Sequence, residues 1–436
     1  MIENLKESLL FQRFLSFKTI IEGNKLYLGL FTFLSCFIIL FIRRGTQLMM
    51  PEVWDEDGTQ NLISFINNGW SFLLKPVNGY LITISKLITG TSASISILYY
   101  PEVSTYITWI FQALVGTAIA LSPTHLKHKY LCALAVFIVP TDPEVLGIPL
   151  YSFWFTSLLL FLVILWKKDE INILTFIYLI IGGLSSPVMA IVPFFLIFRR
   201  VVQKDFLNKR LIILFIVALM LTLLQGYYIY ISKASQGRIE FDYSFFYQIS
   251  KKFIGYYYIR FTGMEKLCFW GGITLMLYLL FSVYDQYVKR KSSLFAVMVL
   301  LFGASIFLSI SRLDYIVLHP ILAGPRYFFF PFIFLSWILI YNLDSRFYQI
   351  PAVFLTLALI NSLFVFQRKH DDLPWREDLK ECSCLGNGNF PVSVHFNGDA
   401  NEKWAMNLPS KTCTQILKED LFSSNDLLKC DIEKKL

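Results

Sequence analysis

The sequence predicts an all-α polytopic membrane protein of about eleven transmembrane helices, resting on composition, run length and the partition of charge. Of 436 residues, 56% are apolar and 16% charged, with 42 phenylalanines, against about 25% charge in a soluble domain. Many apolar runs are long enough to cross ~30 Å of hydrocarbon. Residues 367–436 carry 22 of the charges, 10 basic and 12 acidic. An apolar body over 1–366 and a hydrophilic tail therefore face different solvents. Net charge is +8. No basic stretch is long or aromatic-interleaved enough to follow a phosphate backbone, which sets nucleic acid aside as a partner and leaves the surplus as a topology signal.

A cytoplasmic segment, 1–25, lacks a cleavable signal pattern, so the first span reads as a retained anchor. Full spans fall near 26–44, 103–122, 149–166, 211–231, 268–288, 294–311, 326–341 and 350–366. Three shorter runs complete the count: 130–140, ending at Pro140, and the pair 171–184 and 187–198, broken at Ser185-Ser186-Pro187. With the N-terminus inside, the inner segments hold 17 basic residues and the outer segments 12 in about twice the length, the expected bias. An odd number of spans puts the tail outside. Its four cysteines, Cys382, Cys384, Cys413 and Cys430, suit disulfides in an oxidising compartment, with three pairings open. Cys36, Cys132 and Cys268 lie in apolar runs, where a thiol is a small core hydrophobe.

The outer loops span 45–102 and 232–267. In the first, Leu62, Phe65, Ile66, Trp70 and Leu73, then Leu81, Ile84 and Ile88, recur at helical spacing opposite Asn67, Asn68, Ser85 and Lys86. That pattern predicts amphipathic helices lying in the outer interface. The second carries Tyr256-Tyr257-Tyr258, which reads as either a sugar-stacking platform or interfacial anchors.

The densest polar feature follows the first span: Pro51-Glu52-Val53-Trp54-Asp55-Glu56-Asp57-Gly58. Three adjacent carboxylates at an interface repel one another and suit a base with a raised pKa, against the plain alternative of a solvated turn. Asp57-x-x-Gln60 matches a capping box, which gives Asp57 a structural task and leaves Glu56 as the favoured base. Asp55 points away from its neighbour and is least favoured. In Asp142-Pro143-Glu144, Asp142 reads as an N-cap before Pro, and Glu144 has no such role. Pro140 and Ser185-Ser186-Pro187 are expected to floor an outward cleft beneath Glu56, since broken helices are tolerated where they line a cavity. Arg43, Arg44, Lys86, Lys251, Lys252, Arg260, Arg312 and Arg326 lie outside against the charge rule. They are expected to meet phosphate or carboxylate, or to snorkel. Arg326 stands out because a helix start fixes its depth. There is no Gly-rich phosphate loop, GxSxG or HExxH motif. His125 and His128 sit in an inner basic loop, and Cys382-x-Cys384 with an isolated His395 lacks zinc-site spacing.

Trp54-x-Glu56-Asp57-Gly58 with Asn78-Gly79-Tyr80-Leu81, then Pro143-Glu144-Val145-Leu146-Gly147, then Gly324-Pro325-Arg326-Tyr327-Phe328 resemble, in order and sidedness, the GT-C superfamily of polyprenyl-phosphate-sugar-dependent glycosyltransferases. Within it, the chain is similar over about 20–366 to the prophage-encoded serotype-converting O-antigen glucosyltransferases (Gtr type). The resemblance implies a catalytic domain over 26–366 in a bacterial inner membrane, N-terminus cytoplasmic, with a periplasmic module over 367–436. It implies inverting transfer of glucose from undecaprenyl phosphate to lipid-linked O-antigen, with a flippase and a polyprenyl-phosphate glucosyltransferase as functional partners. Glu56 would be the general base, and Asp57 would hold the loop or substitute for it. Arg326, with Arg44 or Arg312, would hold the departing phosphate. Trp54, Tyr80 and Glu144 fall in the matching stretches as substrate-binding positions. No metal is expected, although Asp55, Glu56 and Asp57 are the residues that would bind one. A carrier or flippase of lipid-linked sugar and an O-antigen polymerase are the competing readings.

Overall fold

The computed structural model describes residues 24–204, 208–232, 243–259, 263–290, 292–311, 313–368, 372–385, 387–395 and 404–420. Arg260, Arg312 and Cys430 lie outside the described residues. The protein is predominantly helical, with one two-stranded sheet. By length and composition five helices can cross a membrane: Lys25–Met49, Tyr100–Leu121, Lys209–Ser232, Glu265–Lys289 and Pro325–Asp344. A sixth span arises if the pair Ile173–Gly183 and Pro187–Gln203, bent by 116°, is one crossing. The predicted spans at 149–166, 294–311 and 350–366 are shorter helices.

Helix α1 (Lys25–Met49) starts at Asn24, whose side chain accepts the Leu26 amide. Its sidedness is inverted relative to a soluble helix. Leu26, Leu30, Leu34, Ile38 and Phe41 are exposed, while Gly29, Thr32, Cys36, Leu40 and Arg43 are buried. Small and polar residues facing inward and large apolar ones outward is what hydrocarbon around the protein selects. Close approach to α2 (Tyr100–Leu121) depends on Gly116, where a Cβ would sit 2.7 Å from Cys36 Sγ.

Helix α3 (Lys129–Ile138) is short, and its freed carbonyls have a partner. Arg43, fully buried, donates to the Phe137, Val139 and Thr141 carbonyls and to those of Val365 and Phe366. Next, α4 (Ser152–Leu165) and α5 (Phe329–Tyr341) form the centre, buried almost throughout. Helices apolar on every face belong there, and the abundant phenylalanine interlocks across them, with Phe161 centred 5.2 Å from Phe330 and 4.7 Å from Phe334. At the bent pair, Ser186 caps the Val188 amide with Pro187 at the first helical position. Gln225, buried in Lys209–Ser232, bonds the Gly183 carbonyl and both backbone groups of Leu81.

Contacts between connecting segments gather at two poles. At one, residues 122–129 meet 165–167 through Thr124–Trp166 pairing, His128 and Lys127 pair with Asp344, and Gln286 bonds Asn342. At the other, Thr83 bonds Leu184, Asp142 bonds Pro320, and Lys252 bonds Tyr315. Segments expected on one side of the membrane thus contact one another, and His128 is paired rather than simply solvated.

The amphipathic expectation for the first loop needs correction. In α6 (Thr83–Ile95) the polar residues face inward: Ser85 donates to the Leu150 carbonyl, and Lys86 donates to those of Phe72 and Lys75. Both are fully buried, because the neighbouring 69–75 and 146–151 segments present carbonyls that only donors satisfy. Tyr256-Tyr257-Tyr258 is not an open platform either. Tyr257 is buried with its hydroxyl at Ser336, and Tyr258 donates to the Gly271 carbonyl.

The tail is not a detached appendage. Helix α7 (Trp375–Cys384), strands β1 (Asn389–Ser393) and β2 (Ala405–Pro409), and helix α8 (Ser410–Glu419) share a core with Val53, Leu62, Leu98 and Tyr100. The strands pair antiparallel, Val392 opposite Met406. Cys382 and Cys413 form a disulfide, and Cys384 is also disulfide-bonded. Cys36, Cys132 and Cys268 are free and buried.

Candidate active site

A cavity of about 160 Å³ is lined by Glu56, Tyr80, Tyr151, Ser186, Pro187 and Arg326 among others, with Val188, Leu308 and Phe330 on its apolar side. Each polar group has a structural reason to be there. Tyr80 arrives by a tight turn in which Asn78 and Gly79 both have positive φ (49° and 89°), and Val77 and Tyr80 exchange both backbone hydrogen bonds. Asn-Gly is the pair that tolerates those angles.

Arg326 enters on a 3₁₀ turn (Pro325–Phe328) opened by Gly324 at φ +65°. Its guanidinium donates to Glu144 Oε1 at 2.5 Å and to the Tyr151 hydroxyl at 2.8 Å; that hydroxyl in turn donates to Glu144 Oε1 at 3.0 Å. The cation also lies over the Tyr151 ring, 5.6 Å from its centroid. Glu144 is fully buried and does not line the cavity. Its part is to hold Arg326, so the substrate-contact expectation for Glu144 is corrected to a supporting one. A charge-assisted pair with a third hydrogen-bonding group fixes the guanidinium in one pose.

Glu56 stands at the start of a π-helical turn (Asp57–Leu62), with Oε2 accepting the Trp54 indole N–H at 3.0 Å. Trp54 is buried against Tyr151 and His395, ring centroids at 5.7 and 5.2 Å, and does not line the cavity. Its indole N–H holds Glu56 from behind the cavity wall. Asp57 does not form the expected capping box. Its carboxylate accepts the Leu150 amide at 3.0 Å and Asn61 Nδ2 at 3.3 Å, because the wide π-turn carries it inward against the 146–151 segment. Asp57 therefore ties the loop down and does not line the cavity as a substitute base. Asp55 accepts no role at the cavity wall, and burial together with the Glu56 charge pushes it up to about 6.

Burial pushes Asp57 up to about 7, opposed by the Leu150 and Asn61 hydrogen bonds and aided by the Glu56 charge. The unfolded chain releases that proton near pH 4, so between about 4 and about 7 the folded protein binds more protons. Stability should fall as pH rises through that window and level off above it. Thermal unfolding in detergent between about pH 5 and about pH 8 should show this decline in wild type and a flatter profile in Asp57→Asn. An unaltered slope in the variant would assign it to another group.

The other expected residues fall elsewhere. Arg44 is fully buried at a break in α1, donates to Gln47 Oε1, and does not line the cavity. Its Nη1 and Nη2 are buried with no hydrogen-bond partner among the described residues. Arg43 serves the α3 carbonyls, Lys251 pairs with Glu265 at 2.9 Å, and Lys252 serves the Tyr315 and Ile316 carbonyls. Asp142 does precede a 3₁₀ turn with Pro at N1, but makes no side-chain cap and accepts Arg368 at 2.8 Å. Ser186 and Pro187 line the cavity as expected, and Pro140 does not. Among the described residues no three of His, Cys, Asp and Glu gather as metal donors.

Sequence reasoning missed Tyr151, Arg368 and His395. Only Tyr151 left a local trace, seven residues after Glu144 at the head of an apolar run. Comparison with known proteins finds no family model, no curated protein and no solved structure that matches this chain.

Proposed function

We propose that the protein is an inverting membrane glycosyltransferase that moves a glucosyl group from undecaprenyl phosphate to lipid-linked O-antigen. One observation carries the reading: a half-exposed carboxylate, Glu56, and a fixed guanidinium, Arg326, line a single cavity that also has an apolar side. The acceptor hydroxyl oxygen attacks the anomeric carbon as its proton passes to Glu56. The anomeric carbon–phosphate oxygen bond breaks, and undecaprenyl phosphate leaves with the electron pair, its added charge offset by Arg326. Phosphate is a stabilised leaving group, so a metal is not obligatory.

The proposed setting is a bacterial inner membrane, with eleven crossings, the N-terminus cytoplasmic and the tail periplasmic. The short helices and the bent pair count as crossings in this reading. It is supported by the two-pole pattern of contacts, by the basic surplus on one side and by disulfides on the other. A flippase and a polyprenyl-phosphate glucosyltransferase would supply the donor at the outer face.

Lipopolysaccharide from cells with and without the gene tests the function. An unchanged chain-length ladder with one extra hexose per repeat is expected. An altered ladder would replace this reading with a polymerase, and no added hexose would leave a carrier of lipid-linked sugar.

A further inference from the structure

The C-terminal module contributes a residue to the acidic segment, about 340 positions away in the chain. His395 N–H donates to the Val53 carbonyl at 2.7 Å, and Asp55 N–H donates to the His395 carbonyl at 3.1 Å. His395 is thus added beside Trp54 as a parallel bridge. Its Nδ1 is 2.9 Å from Glu52 Oε1, and its ring lies 5.2 Å from the Trp54 ring at an interplanar angle of 31°. Arg368 sits over the same indole at 5.5 Å while bound to Asp142. His395, Trp54 and Glu52 are each 7% exposed. The module also lies close to the start of the π-turn, where a Cβ added at Gly58 would sit 3.0 Å from Val394 Cγ1.

We propose that His395 is a positioning residue for Glu56. Packed on Trp54 together with Tyr151 and Arg368, its ring restricts the pose of the indole. The indole N–H can then hold the Glu56 carboxylate in one orientation at the cavity wall. The disulfide-bonded module thereby completes the site. This proposal rests on the glycosyltransferase reading, in which misplacing the base by about 1 Å costs on the order of 10²-fold.

The test uses full-length protein in proteoliposomes with undecaprenyl-phosphate glucose and lipid-linked O-antigen. His395→Ala should lower kcat by about tenfold or more with the donor KM within about twofold, the pattern of an interaction lost only in the transition state. That variant also removes the His395 Nδ1 contact to the buried Glu52 carboxylate. A double variant, His395→Phe with Glu52→Gln, keeps a ring on Trp54 and removes the buried charge that His395 contacted, and should restore kcat to within about threefold of wild type. Trp54 emission, isolated by subtracting the Trp54→Phe spectrum, should shift in His395→Ala and return in the double variant. An unchanged kcat in His395→Ala, or a well-folded double variant no faster than it, would overturn the proposal. Unchanged Trp54 emission would overturn it without any substrate. Wild-type protein that transfers nothing sinks the glycosyltransferase reading instead.

Discussion

Glu56→Gln is expected to abolish hexose addition while leaving the protein inserted and abundant. The side chain is half-buried at the cavity wall, and its one hydrogen bond among the described contacts is accepted from the Trp54 indole. Glutamine has the same shape and keeps an oxygen for that indole N–H, so the local fold loses little. What disappears is a group able to take a proton from the attacking hydroxyl, and general base catalysis contributes about 10²–10⁴-fold. Hexose per repeat unit, measured by mass spectrometry of lipopolysaccharide, should therefore drop to background with unchanged protein in membrane fractions. Normal modification by this variant would remove Glu56 as base. A carrier would pass sugar through without needing it, so the same result separates transfer from transport.

Much of the layout was legible because it depends on local rules. Run length and the inner bias of Lys and Arg order the apolar segments, and the segments assigned to one side do touch. Arg326 was readable because Gly324-Pro325 fixes a helix start, and Glu144 because no capping role competed for it. Where partners come from distant chain, the same rules misled. Arg44 breaks the charge rule as Arg326 does, yet helix packing buries it away from the cavity. Asp57-x-x-Gln60 has capping-box spacing, but a π-turn and the Leu150 amide redirect the carboxylate. Lys86 reads as the polar face of an interfacial helix, and carbonyls at 72 and 75 turn that face inward. His395 had no signal near it, since Glu52 and Trp54 lie at the other end of the chain.

Arg326 carries the second large effect, and separating its two roles takes a pair of variants. Glu144 has a side chain 1% exposed, with Arg326 as its charged partner at 2.5 Å. Arg326→Gln alone leaves that carboxylate buried without its countercharge, which costs about 3–5 kcal/mol in buried pairs. Membrane abundance should fall, and lost activity would then say little about catalysis. Adding Glu144→Gln removes the stranded charge and leaves two amides that can bond each other and the Tyr151 hydroxyl. Abundance should recover in the double variant. Activity should not, because the donor phosphate gains negative charge in the transition state and no cation remains at that wall. Removing a donor aimed at developing charge costs about 10²–10³-fold, and a cationic one in a partly dehydrated cavity belongs at the upper end. Hexose addition normalised to membrane protein should therefore stay at least about 10²-fold below wild type. A double variant that is both abundant and active would reduce Arg326 to a structural partner of Glu144 and leave the leaving group without a holder among the described cavity residues.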